Sequence, residues 1–593
     1  MAGLNHDPNA LPQHGAIRRE DGSVRFSLWA PSARSVTLLL DGGGEHPMQA
    51  EADGWFRLDI ASPSGAGYRY LVDEQTEVPD PASRYQPDGI TGYAAIVDPH
   101  RYAWRATHWR GRPWHETVLY ELHVGLLGGY AGVERQLPEL VQLGITAIEL
   151  MPLGEFPGER NWGYDGVLPF APQSSYGSPD QLRQLIDRAH ELGLMVFVDV
   201  VYNHFGPDGN FLGVYAKEFF REDITTPWGA SIDFRRPEVR DFFCENALMW
   251  LQDYQVDGLR LDAVHAISEK DFLVELAERV RSAIPTDRHV HLVLENEDNS
   301  AELLSHHFDA QWNDDAHNVL HVLLTGETES YYSDYAQTPT EKLARCLAEG
   351  FVYQGEDNRH GRLRGQPSGH LPSTAFVMFL QNHDQTGNRA LGERLIELTD
   401  EPALKAATAL LLLSPMVPLL FMGEEWGCRS PFLFFTDHHP QLGEAVRQGR
   451  RSEFSEFSSF ADPSARERIP DPNAQATFER SIPDWAARSE PPHEQWLHYY
   501  RHLLDLRHRL LVPRLAGTQA LGCQILADKA VAASWRLGDG SLLYIDLNLS
   551  SQLVPVDERN GAHTLFQYGL NLCSKGHSPL PPHSIVISMD LIT

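Results

Sequence analysis

Four acidic residues stand where otherwise apolar runs end. Asp199 is the penultimate residue of LMVFVDV, Asp262 closes VDGLRLD and Glu295 closes HVHLVLE, while Asp384 lies just beyond the run that ends at Leu380. A lone Asp or Glu is usually a solvated surface charge. These four are harder to explain that way, because they occupy equivalent places in successive units, at or after the ends of otherwise apolar strand-like stretches. Acids at equivalent places in successive units would converge on one crevice. Convergent carboxyls suit two chemistries: glycoside hydrolysis, where one acid protonates the leaving oxygen and another meets the sugar carbon, or a divalent metal site.

The metal reading is the weaker. His204, His265 and His383 lie nearby in sequence, but no H-E-x-x-H pattern joins them to an acid. His289-Val290-His291 opens a strand, at the end away from the acids. Acyl transfer lacks a G-x-S-x-G elbow after any strand, and no Gly-rich phosphate loop opens a helix.

The elements that must position these acids are legible as periodicities. Apolar strand candidates fall at 118–123, 147–151, 194–200, 256–262, 289–295, 309–313, 374–380 and 417–421. Helix-length segments separate them. Ser178-Pro179 reads as an N-cap followed by proline at the first helical position, and Gly193 as a stop; further helices are expected at 238–254 and 268–284. Eight strands alternating with helices predict an α/β chain built on a closed (β/α)8 TIM barrel, with functional residues at the C-terminal ends of the strands. A doubly wound open sheet is the alternative.

Before the barrel, short alternating runs with Gly, Asp and Pro breaks predict a β-sandwich over 1–105. The barrel with long insertions is expected over 106–510, and a C-terminal antiparallel β domain over 511–593. The segment 423–492 reads as a long, mostly unpatterned loop ahead of a helix at 493–510. Loops of that length inside a compact fold are usually functional.

Composition narrows the partners. The 593 residues are 42% hydrophobic and 22% charged, with a formal net charge of −32. Such a balance is globular, and it opposes binding to nucleic acid or an anionic membrane. Five scattered cysteines without CxxC spacing (Cys244, Cys346, Cys428, Cys523 and Cys573) are expected to be reduced thiols. Residues 1–15 show no basic start and no apolar core, and the apolar stretch 406–422 is broken by Pro415 and Pro418. A cytoplasmic protein is expected.

The segments DVVYNH (199–204), GLRLD (258–262), Leu294-Glu295 and QNHD (381–384) resemble, in order, the four signature segments of the α-amylase family of glycoside hydrolases. Further stretches resemble its maltooligosyltrehalose trehalohydrolase branch: PDPASRYQPDG (79–89), NWGYDGVLPFAPQSSYG (161–177), AQWNDDAHNVLHVLLTGE (310–327), LLFMGEEWG (419–427), FLFFTD (432–437) and ATFERS (476–481). The resemblance covers residues 20–590. It departs after the first strand, where HVGLLGGYAGV (123–133) is short and lacks the family's usual pattern, which would alter an edge of the groove.

The resemblance implies roles. Asp262 would be the nucleophile, Glu295 the acid/base and Asp384 a ligand for the hydroxyls of the sugar at the cleaved bond; Glu297 is a rival for Glu295. Arg260 would hold Asp262 ionised, Asp199 would support Arg260, and Tyr164 would stack on the sugar ring. His204 and His383 would contact its hydroxyls, with His265 toward the leaving group. Glu425 and Trp426, at the start of the long loop, are expected to contact a bent trehalose leaving group and set selectivity. No cofactor or metal is expected, although Asn203 resembles a calcium ligand of some amylases. The implied reaction is cleavage of the α-1,4 bond next to the terminal trehalose of maltooligosyltrehalose, coupled to an enzyme that forms this substrate from related α-glucans. Branching, debranching and plain amylase activities remain open, as does a catalytically inactive glycan-binding scaffold.

Overall fold

The computed structural model describes residues 12–226, 229–557, 559, 561–570 and 579–591. Eight parallel strands close into a barrel, numbered here β1 (Leu119–Leu122), β2 (Ala147–Leu150), β3 (Met195–Val200), β4 (Gly258–Leu261), β5 (His291–Leu294), β6 (Ala310–Trp312), β7 (Phe376–Phe379) and β8 (Val417–Phe421). Each pairs with the next, and β8 returns to β1 through Leu119–Leu419 and Tyr120–Leu420. Every strand lies within its expected segment, so the closed barrel is found and the open sheet is not.

The period of two along each strand decides what lines the lumen. Leu119, Ala147, Met195, Phe197, Val293, Trp312, Val377, Phe379, Val417 and Leu419 fill its lower layers as one apolar cluster. Gly258 is required there, since a Cβ at this position would lie 2.1 Å from the Phe197 ring. The alternate residues, such as Tyr120, Ile148, Val196 and Leu259, face outward and pack beneath the helices. Counting up the lumen face in steps of two places Glu121, Glu149, Asp199, Arg260, Asp262 and Glu295 at or just past the strands' C-terminal ends. Apolar layers below and charge above make the mouth the only part of the lumen suited to chemistry.

The crossover helix Pro179–Glu191 forms as its ends dictate. Ser178 Oγ accepts from the Gln181 N–H (3.3 Å), Gln181 Oε1 accepts from the Ser178 N–H (2.8 Å), and Pro179 supplies the first turn. Its apolar stripe, Leu182, Leu185, Ile186 and Ala189, is buried. Helices Pro237–Gln252 and Lys270–Ala283 likewise bury an apolar face, but neither has a side-chain cap at its N-terminus.

Ahead of the barrel, one antiparallel sheet (Gly15–Arg18, Ser23–Trp29, Trp55–Ala61, Gln49–Ala50) faces a second built on Val36–Leu40 and Gly67–Val72. Glu245 on a barrel helix accepts from the backbone N–H groups of Gln13 (2.8 Å) and His14 (3.1 Å), tying this unit down. After the barrel, a five-stranded antiparallel sheet runs from Gln519–Ala527 to Ser584–Asp590.

The segment 423–492 corrects the sequence reading. It contains helices Pro440–Glu453 and Gln475–Arg480. The first buries only Gly443 and Arg450, so it carries no apolar stripe for periodicity to detect. Cys244, Cys346, Cys428 and Cys523 are free thiols, while Cys573 and residues 1–11 lie outside the described residues. Among the described residues, no helix is long and apolar enough to cross a membrane.

Candidate active site

One guanidinium organises the mouth of the barrel. Arg260, 2% exposed, lies over the Trp312 ring with its central carbon 4.3 Å from the centroid. Its Nη1 donates to Asp199 Oδ2 (2.7 Å) and Asp262 Oδ1 (2.8 Å), and Nη2 stands 3.7 Å from Glu295 Oε2. The second Asp262 oxygen accepts from Asn203 Nδ2 at 2.8 Å. Both oxygens of Asp262 therefore have donors, an arrangement made for a carboxylate. Asp199 is a support: it takes Arg260 and the Tyr164 hydroxyl (2.5 Å), and burial pushes it up to about 6 against the pull of Arg260. Asn203 is thereby assigned to Asp262. No group of three or more His, Cys, Asp or Glu side chains among the described residues could hold a metal ion.

Glu295 follows β5 directly. Its Oε2 accepts from the Ala263 N–H at 2.5 Å. To present that N–H, Ala263 adopts a left-handed backbone (φ 41°), a strain of about 1–3 kcal/mol that its surroundings must hold. Burial, followed by the Asp262 and Asp384 charges and opposed by Arg260, raises Glu295 to about 7. Two neighbouring carboxyls thus stand in opposite environments, one supplied with donors and the other kept protonated to near neutrality. Glu297 does not compete for this place. Its side chain is 62% exposed and stands 3.9 Å from His265 Nε2, at the rim.

Asp384 is exposed in the short helix His383–Gly387, which Asn382 caps, and it accepts from Asn388 Nδ2 at 2.6 Å. His383 is fixed by Glu121: Nδ1 bonds one carboxylate oxygen, and the backbone N–H donates to the other at 2.9 Å. Burial opposes a charge on His383, but Glu121 overcomes it and holds the imidazole above its ordinary value. Tyr164 stacks on His383, with ring centroids 5.0 Å apart.

His204 differs from expectation. Its Nε2 donates to the Tyr164 carbonyl (2.9 Å) and its Nδ1 meets Asn203 Oδ1 (2.5 Å), so its ring nitrogens fix the site rather than reach for sugar. His265, on the turn Val264–Ala266, is partly exposed at the edge of the cleft.

Glu425 and Trp426 are not brought to the site, which corrects the sequence reading. They are 2% and 1% exposed. Both Glu425 oxygens accept from the Tyr120 hydroxyl at 3.1 Å, and Tyr120 points out of the barrel, away from the lumen. Trp426 packs with Cys428, Ala487, Trp485 and Leu497 beneath the helix Pro491–Leu506, whose His493 donates to its carbonyl at 2.8 Å. After β8 the chain turns outward. Trp426→Ala is therefore expected to lower unfolding free energy by about 3–5 kcal/mol. Denaturant unfolding alongside kinetics checks this: substrate preference of the folded fraction should stay within about twofold of wild type.

Sequence reasoning missed Glu121, Glu149, Trp312 and Asp314. Glu121 and Glu149 carry the same signal as the others, an acid late in an apolar strand (LYEL, AIEL). Glu149 is 1% exposed with no hydrogen-bond partner for either oxygen among the described residues, and burial, then the charges of Glu121 and Asp199, drive it far above the usual carboxylate range.

The model of the α-amylase catalytic domain matches residues 106–223, that of carbohydrate-binding module 48 (isoamylase N-terminal domain) matches 13–88, and a domain of unknown function matches 518–587. A malto-oligosyltrehalose trehalohydrolase of Deinococcus radiodurans is 42% identical over 517 residues, covering 85% of this chain and 84% of its own. The chain belongs to the malto-oligosyltrehalose trehalohydrolase family. Another trehalohydrolase, from Rhizobium sp. M-11, is 37% identical and covers 97% of this chain and 99% of its own. A crystal structure of a candidate α-amylase from Salmonella typhimurium superposes on this trehalohydrolase-family chain with a TM-score of 0.92 at 43% identity, covering 98% of this chain and 100% of that one.

Proposed function

We propose that this glycoside hydrolase cleaves the α-1,4-glucosidic bond next to the terminal trehalose of maltooligosyltrehalose, releasing trehalose and a shortened maltooligosaccharide. One observation carries the chemistry: Asp262 and Glu295, flanking one guanidinium, differ in what surrounds them, with donors on both oxygens of the first and a proton held to about 7 on the second. The choice of bond rests on the family.

In the first step an Asp262 oxygen attacks the anomeric carbon while the bond to the trehalose oxygen breaks, and Glu295 gives that oxygen its proton. A glycosyl ester on Asp262 results. Glu295, now ionised, takes a proton from water as the water oxygen attacks the same carbon and releases Asp262, so configuration is retained. Asp384 accepts hydroxyls of the distorted sugar, and His383, held through Nδ1 by Glu121, offers Nε2 to another. Tyr164 presents its ring at the floor of that subsite. The substrate must come from an enzyme that turns a terminal α-1,4 linkage into an α,α-1,1 linkage, and the free thiols suit a cytoplasmic setting.

The acid step requires protonated Glu295, so kcat/KM is expected to fall as pH rises through about 7. A pH profile checks this; a limb confined to alkaline values above about 9 would contradict it. Incubation with maltooligosyltrehalose, amylopectin and starch, with chromatography of the products, tests the function. Free trehalose from the first substrate and little product from the others is expected. Rapid, trehalose-free breakdown of starch would favour an amylase.

A further inference from the structure

Asp314 and Asp315 follow β6 as a pair and open the helix Asp314–Thr325. They are used differently. Asp315 is buried and fully engaged: it accepts from Asn299 Nδ2 (2.9 Å), the Tyr335 hydroxyl (2.5 Å) and the N–H groups of Val352 (2.8 Å) and Tyr353 (3.1 Å), and it pairs with Arg364 Nη2 at 3.1 Å. Asp314 is half-buried, and its carboxyl makes no hydrogen bond or ion pair to the described residues.

Its position is set by the barrel. β6 lies between β5, which delivers Glu295, and β7, which leads to Asp384. The pairing of Leu294 with Gln311 puts Glu295 level with Trp312, a lumen residue, so Asp314 follows two residues nearer the mouth. A half-buried carboxyl without a partner among the described residues, in the field of two other carboxyls, costs stability. The helix N-terminus does not explain it, because Asp315 already supplies an acid there.

We propose that Asp314 is a further substrate-binding residue, placed to hydrogen-bond hydroxyls of the sugars on either side of the bond that Glu295 protonates. The proposal rests on the reading of this cleft as a glucan-cleaving site. The charged groups whose fields act on Asp314 are Glu295, Asp384, Arg364 and Asp315. Arg364 is committed elsewhere, to Asp315, to the Tyr335 hydroxyl (3.0 Å) and to the Glu297 carbonyl (2.7 Å). Burial, then the Glu295 and Asp384 charges, raise Asp314 to about 8. It therefore carries its proton over the range in which Glu295 carries one. A protonated carboxyl both donates and accepts, which suits sugar hydroxyls better than an acceptor-only carboxylate.

Asparagine preserves the donor and the acceptor without a titrating proton, and alanine removes both. Asp314→Ala is expected to lose about tenfold or more in kcat/KM, and Asp314→Asn to stay within about threefold of wild type. The wild-type alkaline limb should fall more steeply than one proton allows, and the Asn variant should fall as one. An Ala variant within about twofold of wild type would overturn the proposal, as would an Asn variant as damaged as the Ala variant. If Asp314→Ala does not fold, the Asn variant decides alone, and a two-proton slope persisting there overturns the assignment. If wild type releases no trehalose from maltooligosyltrehalose, the functional reading fails. The same variants are then compared on an aryl maltoside, where the Asp314 outcome is still read.

Discussion

Asp262→Asn is expected to leave a folded protein without turnover, with kcat down at least about a thousandfold. The near-isosteric amide keeps the volume at the end of β4 but cannot form the glycosyl ester. It also turns an N–H group toward either Arg260 or Asn203, both of which are donors to the native carboxylate. Circular dichroism and unfolding should therefore show native structure with a modest loss of stability. A fluorinated glycosyl donor, trapped on the wild-type protein and digested, should label Asp262. A label on Asp199 or Asp384 would contradict the assignment. Asp199 is enclosed by Arg260 and Tyr164 with its side chain 1% exposed, and Asp384 stands out at the rim.

Glu295→Gln is expected to lower kcat on the natural substrate by at least about a hundredfold, the lower range for losing a positioned general acid. A substrate with a good leaving group needs less protonation and should suffer less in its first step. Glu297→Gln should remain near wild type, and the reverse pattern would move the acid to Glu297. The same substitution has a thermodynamic signature. Glu295 is held at about 7 in the folded state against an ordinary 4.5. The folded protein therefore binds this proton more tightly than the unfolded chain. The stability so contributed is complete below the ordinary value and is lost as pH rises through about 7. Gln at this position cannot ionise, so the variant should unfold at a higher temperature than wild type at pH 8 while being nearly inactive. An equal or lower unfolding temperature there would mean that burial does not hold the proton on Glu295.

The barrel was legible in the sequence because its strands are buried on both faces and read as apolar runs, and because two of those runs end in acids and a third carries one next to its end, which the lumen's period of two brings together. Arg260 could be placed beside Asp262 by the same period. Glu121 and Glu149 were overlooked for a local reason: Leu122-His123 follows the first and Leu150-Met151 the second, so each lies two residues inside its expected strand rather than at or next to the end. Glu425 and Trp426 fail for a different reason. Proximity to the end of a strand does not determine whether the next turn folds over the mouth or out under a helix, and here Tyr120 and the helix Pro491–Leu506 receive them. The helix Pro440–Glu453 was invisible because its apolar content is too low to form a stripe. The uses of Asp314 and Asp315 are set by tertiary partners that no periodicity announces.

Proton NMR of the reaction with maltooligosyltrehalose, recorded before the products mutarotate, tests the account most directly. It predicts that the anomeric signal of free trehalose grows in step with the α anomer of the shortened maltooligosaccharide. A β anomer formed first would contradict the two-step displacement on Asp262, and glucose or maltose appearing without trehalose would contradict the choice of bond.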